Sequence, residues 1–186
     1  MFIKKVNYLY KFLIIFFLIL PINISRAEFF KDISNIITIN ESRLSYGVSV
    51  TDINSDGNNE FIVTGFGYPN LALSYIDGKL KNIIQEDIFL DRDRKTIGVA
   101  ACDIDKDGFE EIYFLNTDTY SGTKKYSDRL IDKNNNNFFD LFELKKNREN
   151  LNLTAGRSVV CVDRKGDGEY GIYVANYGGP TRFYEI

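Results

Sequence analysis

Asp103-Ile104-Asp105-Lys106-Asp107-Gly108-Phe109-Glu110-Glu111 is the stretch from which the fold of this chain can be read, and apolar residues crowd both of its ends. Oxygen-bearing side chains fall at its first, third, fifth and ninth positions, glycine stands at the sixth, and the apolar run Ile112–Leu115 leaves it. A short loop wraps a hard cation in this way. Calcium takes six to eight oxygens at about 2.3–2.6 Å, alternate side chains and a carbonyl at position seven supply them, and the glycine permits the sharp turn. Asp103, Asp105, Asp107 and Glu111 are the side-chain ligands this spacing predicts, with Phe109 lending its backbone oxygen. The helical calcium hand is a poor match, because it requires two flanking helices and a glutamate at position twelve. The flanks here, Ile97–Cys102 and Ile112–Leu115, are short β-rich runs without helical spacing, so the loop is predicted to turn one strand into the next.

The same pattern recurs in the chain. Tyr46 to Val63, Ile97 to Phe114 and Arg157 to Val174 are three copies of strand, acidic loop and strand, whose leading aspartates are Asp52, Asp103 and Asp163. The spacings of 51 and 60 residues suit one small antiparallel sheet per repeat. Gly65-Phe66-Gly67-Tyr68-Pro69 and Tyr177-Gly178-Gly179-Pro180 place a glycine-rich turn at a shared offset, and further strands follow at Leu71–Tyr75 and Arg182–Ile186. Asp77-Gly78 then reads as a hairpin tip leading to a fourth strand at Leu80–Ile84. A four-stranded meander is the blade of a β-propeller.

The predicted fold class is therefore all-β: a partial propeller of about three four-stranded antiparallel blades. One blade covers 46–90, a second 97–150, and an incomplete third 156–186. Residues 28–45 are read as a closing strand and linker, because Phe29–Ile39 resembles an outer fourth strand with no blade of its own. The expectation is the amino-terminal part of a longer propeller. In the second repeat the long insertion Asn116–Asp128 exceeds what a connection needs. Asp132 to Asp140 also spaces oxygens at positions one, three, five and nine, but it lacks the glycine and aligns with Asp77-Gly78, so it is read as a polar hairpin tip.

The first 27 residues have a different character. Lys4, Lys5 and Lys11 precede the apolar block Phe12–Leu20, and Ser25-Arg26-Ala27 closes it, the layout of a secretory signal with cleavage after Ala27. Nine uninterrupted apolar residues fall short of the roughly 20 that span a bilayer, which favours a cleaved signal over a retained anchor. Removing 1–27 takes away four positive charges and no acids, moving the formal charge from −3 to −7. Such a balance disfavours nucleic acid and favours divalent cations. Export permits disulfides, but Cys102 lies one residue before its aspartate and Cys161 two before. Strand alternation then sends the thiols to opposite sides, which predicts two buried free cysteines.

Asp-x-Asp/Asn-x-Asp-Gly-x-x-Glu between two strands resembles the FG-GAP and VCBS repeats of integrin-α-type propellers. More narrowly, Ala101 to Thr117, and Ala155 to Gly168 with Ile172 to Tyr177, resemble the cartilage acidic protein family, with similarity over essentially all of the chain after the signal. The resemblance implies a secreted, calcium-binding propeller of about seven blades acting in matrix or cell-surface contact, and it does not imply an enzyme. It assigns ligands to Asp52, Asn54, Asp56, Asn58 through its carbonyl, and Glu60, and likewise to Asp103, Asp105, Asp107, Phe109 through its carbonyl, and Glu111. The third loop departs, with Lys165 at the third position and Gly171 at the ninth. An ammonium among Asp163, Asp167 and Glu169 replaces the metal there, so two calcium ions are expected.

The absence of histidine removes the commonest general base, and no Gly-x-Ser-x-Gly elbow or phosphate-cradling loop is present. The alternative is a propeller-scaffold enzyme, hydrolase or oxidoreductase, whose active site lies in blades outside this chain. The favoured partner is an extracellular protein or glycan bound on loops such as Thr117–Asp128. The expected location is secreted, periplasmic or cell-surface.

Overall fold

A computed structural model describes residues 30–84, 86–135 and 137–186. The segment read as a signal lies outside the described residues. Ser34–Ile186 forms one compact unit.

Among the described residues, eleven strands make three antiparallel meanders. The first sheet holds β1 (Val48–Thr51), β2 (Glu60–Val63), β3 (Leu71–Ile76) and β4 (Lys79–Asn82). The second holds β5 (Thr96–Cys102), β6 (Glu111–Asn116), β7 (Arg129–Asn134) and β8 (Asn137–Asp140). The third holds β9 (Gly156–Val162), β10 (Gly171–Asn176) and β11 (Arg182–Tyr184), three strands in the order β11-β10-β9. Each acidic stretch joins the first two strands of its sheet, as its flanks predict.

The sheets stack face to face with their first strands side by side, β1 beside β5 and β5 beside β9. Glycine permits this approach. A Cβ on Gly47 would lie 2.9 Å from the Gly98 Cα, and one on Gly98 would lie 3.3 Å from the Val159 Cγ1. Antiparallel meanders stacked through their first strands are arranged as propeller blades are.

Strand alternation divides the core. Along β6, Ile112 and Phe114 face the first sheet and pack with Ile62, Ala72, Val99 and Ile131. Tyr113 and Leu115 face the third sheet and pack with Cys102, Leu130, Phe142, Ile172 and Val174. A strand covered on both faces needs apolar residues at successive positions, which explains the unbroken run after Glu111. Burying each such side chain contributes about 1.5–3 kcal/mol. A short helix, α1 (Asp87–Leu90), links the first two sheets and inserts Phe89, whose ring meets Phe138 edge-on at a centroid distance of 4.6 Å.

Two expectations are corrected. Cys102 and Cys161 form a disulfide, with Cα atoms 6.2 Å apart. Their side chains do point in opposite directions, but they belong to different stacked sheets, so opposite directions converge. Cys102 faces out of the second sheet toward the third, and Cys161 faces back. Second, the outer strand expected over Phe29–Ile39 does not form within its described part. Ser34–Ile36 makes one 3-10 turn, and Ile37 makes a single parallel bridge to Leu80, with Thr38 N donating to the Leu80 carbonyl at 3.0 Å. Ser34 and Asn35 favour local turns over a ladder. No described helix is long and apolar enough to cross a membrane.

Candidate metal centres

The three acidic loops share one backbone shape. Their fourth and sixth residues are left-handed: Ser55 and Gly57 (φ 61° and 87°), Lys106 and Gly108 (64° and 91°), Gly166 and Gly168 (73° and 79°). Glycine at the sixth position avoids the Cβ penalty of that conformation, about 1–2 kcal/mol per residue. The leading aspartate fixes the turn with both oxygens. Asp52 accepts from Asp56 N at 2.9 Å and Gly57 N at 2.8 Å, and Asp103 from Asp107 N at 3.2 Å and Gly108 N at 3.1 Å. Asp163 does the same with Asp167 N at 3.2 Å and Gly168 N at 2.8 Å.

At the third and fifth positions one oxygen of each side chain also accepts from the backbone. Asn54 and Asp105 receive the amides of Asp56 and Asp107 at 2.9 and 3.1 Å. Asp56 and Asp107 receive those of Asn58 and Phe109, both at 2.8 Å. Asn54 and Asn58 further donate side-chain amides to Asp56 at 3.0 Å each. Bonds from Asn58 and Asn54 hold the Asp56 carboxyl below its ordinary range. Asn58 and Phe109 occupy the seventh positions, two residues ahead of β2 and β6.

The ninth residue is different in kind. Glu60 and Glu111 open β2 and β6 and are fully buried. One oxygen of each accepts a loop amide, Ile53 N at 3.2 Å and Ile104 N at 2.7 Å. The other, Oε1 in both, is buried with no hydrogen-bond partner. A buried carboxylate oxygen without a donor is costly, and a cation removes the cost. Burial pushes the Glu111 carboxyl up to about 8, and it raises Glu60 as well.

Carboxylate oxygens of Asp103, Asp105 and Glu111 all lie within 4.8 Å of one another. Among the described residues this is the one acidic group gathered so closely. Asp107 stands beside it with an oxygen turned to the Phe109 amide. In the first loop, Asp52, Asn54, Asp56 and Asn58 are linked by the hydrogen bonds above, with Glu60 at the strand entry. The donor set fits a hard divalent cation: oxygen throughout, anionic, and with a buried lone pair facing no donor.

The third loop has the same backbone and different chemistry. Lys165 Nζ pairs with Glu169 at 3.0 Å and approaches Asp167 at 4.0 Å, and Lys106 of the second loop reaches Glu169 at 3.4 Å. Both ammonium groups hold the Glu169 carboxyl below its usual range. The ninth position is also closed, because a Cβ on Gly171 would lie 2.8 Å from the Tyr184 carbonyl oxygen.

The turn between Asp132 and Asp140 is a hairpin, β7 to β8, as its alignment with Asp77-Gly78 predicts. Its end residues are not tip residues, however. Asp140 is buried and accepts from Arg129 Nε at 3.0 Å and Phe142 N at 3.0 Å, and Asp132 is buried in β7. Their roles depend on strand register, which spacing alone does not reveal.

At the opposite ends of β2 and β6 lies a recess of about 300 Å³, lined by Phe66, Lys95, Thr117, Asp118, Tyr120 and Arg157 among others. Lys95 Nζ sits 5.4 Å from the Phe66 ring centroid, and the Arg157 guanidinium sits 5.6 Å from Tyr120 and 5.1 Å from Tyr177.

Residues 30–114 match the family model for the FG-GAP-like repeat. The chain is 46% identical over 162 residues to cartilage acidic protein 1 of Xenopus tropicalis, an alignment covering 79% of this chain and 25% of that protein. The human protein of the same name is 45% identical over 162 residues, covering 79% of this chain and 24% of the relative, so the chain spans about a quarter of the length of these relatives. With three stacked meanders and acidic loops of one shape, this chain is similar to part of cartilage acidic protein 1, and its residues 30–114 match the FG-GAP-like repeat.

Proposed function

We propose that the chain is a calcium-binding, non-catalytic propeller segment of an exported protein, serving contact with an extracellular protein or glycan. The observation that carries the metal is the buried ninth-position glutamate of the second loop, whose Oε1 meets no donor from another residue and whose carboxylate lies within 4.8 Å of those of Asp103 and Asp105. Asp52, Asn54, Asp56, the Asn58 carbonyl and Glu60 would hold one ion. Asp103, Asp105, Asp107, the Phe109 carbonyl and Glu111 would hold another. The bound ion supplies positive charge to loops whose acids otherwise repel. The chain's own part is structural: aspartate-to-amide bonds shape the loop, and the glutamate ties it to the sheet.

Extracellular work is supported by the matrix-type name of the relatives and by the basic head and apolar block at the start of the chain. Contact with a partner would use the recess beside Tyr120, where aromatic faces and cations suit a sugar ring or an acidic side chain. A longer propeller is supported by the outer faces of the first and third sheets. Val48, Val50 and Phe61 on one, and Tyr173 and Phe183 on the other, are substantially exposed and would seat neighbouring blades. Calcium at about 100 times its Kd stabilises by about 2.7 kcal/mol per site, a Tm rise of roughly 5–10 °C for a domain of this size. Thermal unfolding in calcium and in chelator tests this reading. Equal Tm values in the two conditions would overturn it.

A further inference from the structure

β7 runs antiparallel to β6 with Ile131 opposite Ile112, so the next step of that ladder sets Asp132 opposite Glu111. Directly opposed residues share a face, with Cβ atoms about 4.5–5.5 Å apart, and like charges so placed are destabilising. Both side chains are buried, Asp132 at 6% exposure and Glu111 at 0%. Asp132 accepts from its neighbour's amide, Lys133 N, while Glu111 Oε1 meets no donor. The charges of Asp105 and Asp107 also bear on Asp132. Two buried acids on neighbouring strands therefore stand next to the more exposed acids of the loop, with Asp132 outside the close group formed by Asp103, Asp105 and Glu111.

The other sheets place something else at the same point. In the first, Phe61 opposite Leu73 sets Ser74 opposite Glu60, a hydroxyl in place of a carboxylate. In the third, Ile172 opposite Tyr184 sets Glu185 opposite Gly171, and Glu185 is held by Arg164 Nε at 2.6 Å.

We propose that Asp132 is a further oxygen ligand of the ion held by the second loop, reaching it directly or through one bridging water. Five carboxylates then serve that ion, Asp103, Asp105, Asp107, Glu111 and Asp132, against three in the first loop, Asp52, Asp56 and Glu60. The two sites are therefore unequal, with the second the tighter. This assignment rests on the calcium reading above.

Calcium titration of the whole chain by calorimetry, on the parent and two variants, tests it. The parent shows two affinities. Asp132→Asn weakens the tighter site at least tenfold and leaves the weaker one unchanged. Ser74→Asp, which copies the second-loop arrangement onto the first, tightens the weaker site severalfold and keeps the test intact should Asp132→Asn fail to fold. Two ions bound with both variants unchanged would overturn the ligand assignment alone. Equal weakening of both sites by Asp132→Asn would also overturn it, since that marks general loosening. No binding to the parent would overturn the calcium reading itself.

Discussion

Asp128 shows how much one buried residue organises. At the junction of the second and third sheets it accepts from Tyr113 Oη at 2.8 Å, Asn116 N at 2.6 Å and Asn152 Nδ2 at 2.6 Å, and it pairs with the fully buried Lys124 ammonium. Removing one partner of a buried ion pair strands the other, at about 3–5 kcal/mol. Asp128→Ala is expected to lower the urea-unfolding free energy by that amount with little change in slope. A loss under about 1 kcal/mol would show that Lys124 finds another counter-charge. Spacing does not mark Asp128, because its partners come from positions 113 to 152 and meet only through packing. Local chemistry is another matter. The loop glycines and leading aspartates are legible from sequence, since each aspartate bonds amides four and five residues away. Asn152 belongs to the same network, its side chain buried and bonded to Asp128 and Asn176.

Among the elements, the strands and loops are readable from sequence, and which face of each sheet meets its neighbour is not. Alternation correctly gave the direction of each cysteine but carried no information about which sheet faced which. The bond between Cys102 and Cys161 closes a sequence separation of 59 residues across two sheets. In the chain-entropy account a loop of that size is worth about 4 kcal/mol. Reduction, or paired replacement of both cysteines by serine, is expected to lower unfolding stability by about 4 kcal/mol in urea titrations. A change below about 1 kcal/mol would place the sheet packing, and not the crosslink, in control of that interface. The third loop offers a test in the opposite direction. Lys165→Asp restores the third-position acid but not the ninth, where the Tyr184 carbonyl and the Glu185 side chain occupy the space a side chain at Gly171 would need. The variant is expected to lose the ion pair with Glu169 and to gain no metal site. A rise in calcium stoichiometry by one ion would show that the ninth ligand is dispensable.

For the whole molecule, three sheets standing on their first strands place every acidic loop at the same end of its sheet, while the aromatic and basic recess lies at the other. Repetition in sequence made this legible, because equal spacing of strand, loop and strand forces equal geometry. The helix Asp87–Leu90 and the 3-10 segment Lys145–Asn150 carry no repeat signal, since connections follow the gap between sheets and not a repeat. The central claim is that these loops hold ions. Counting calcium bound per chain after chelator treatment and dialysis, by metal analysis alongside protein concentration, tests it most directly. The account predicts two per chain; a chain that retains its fold and binds none would contradict it.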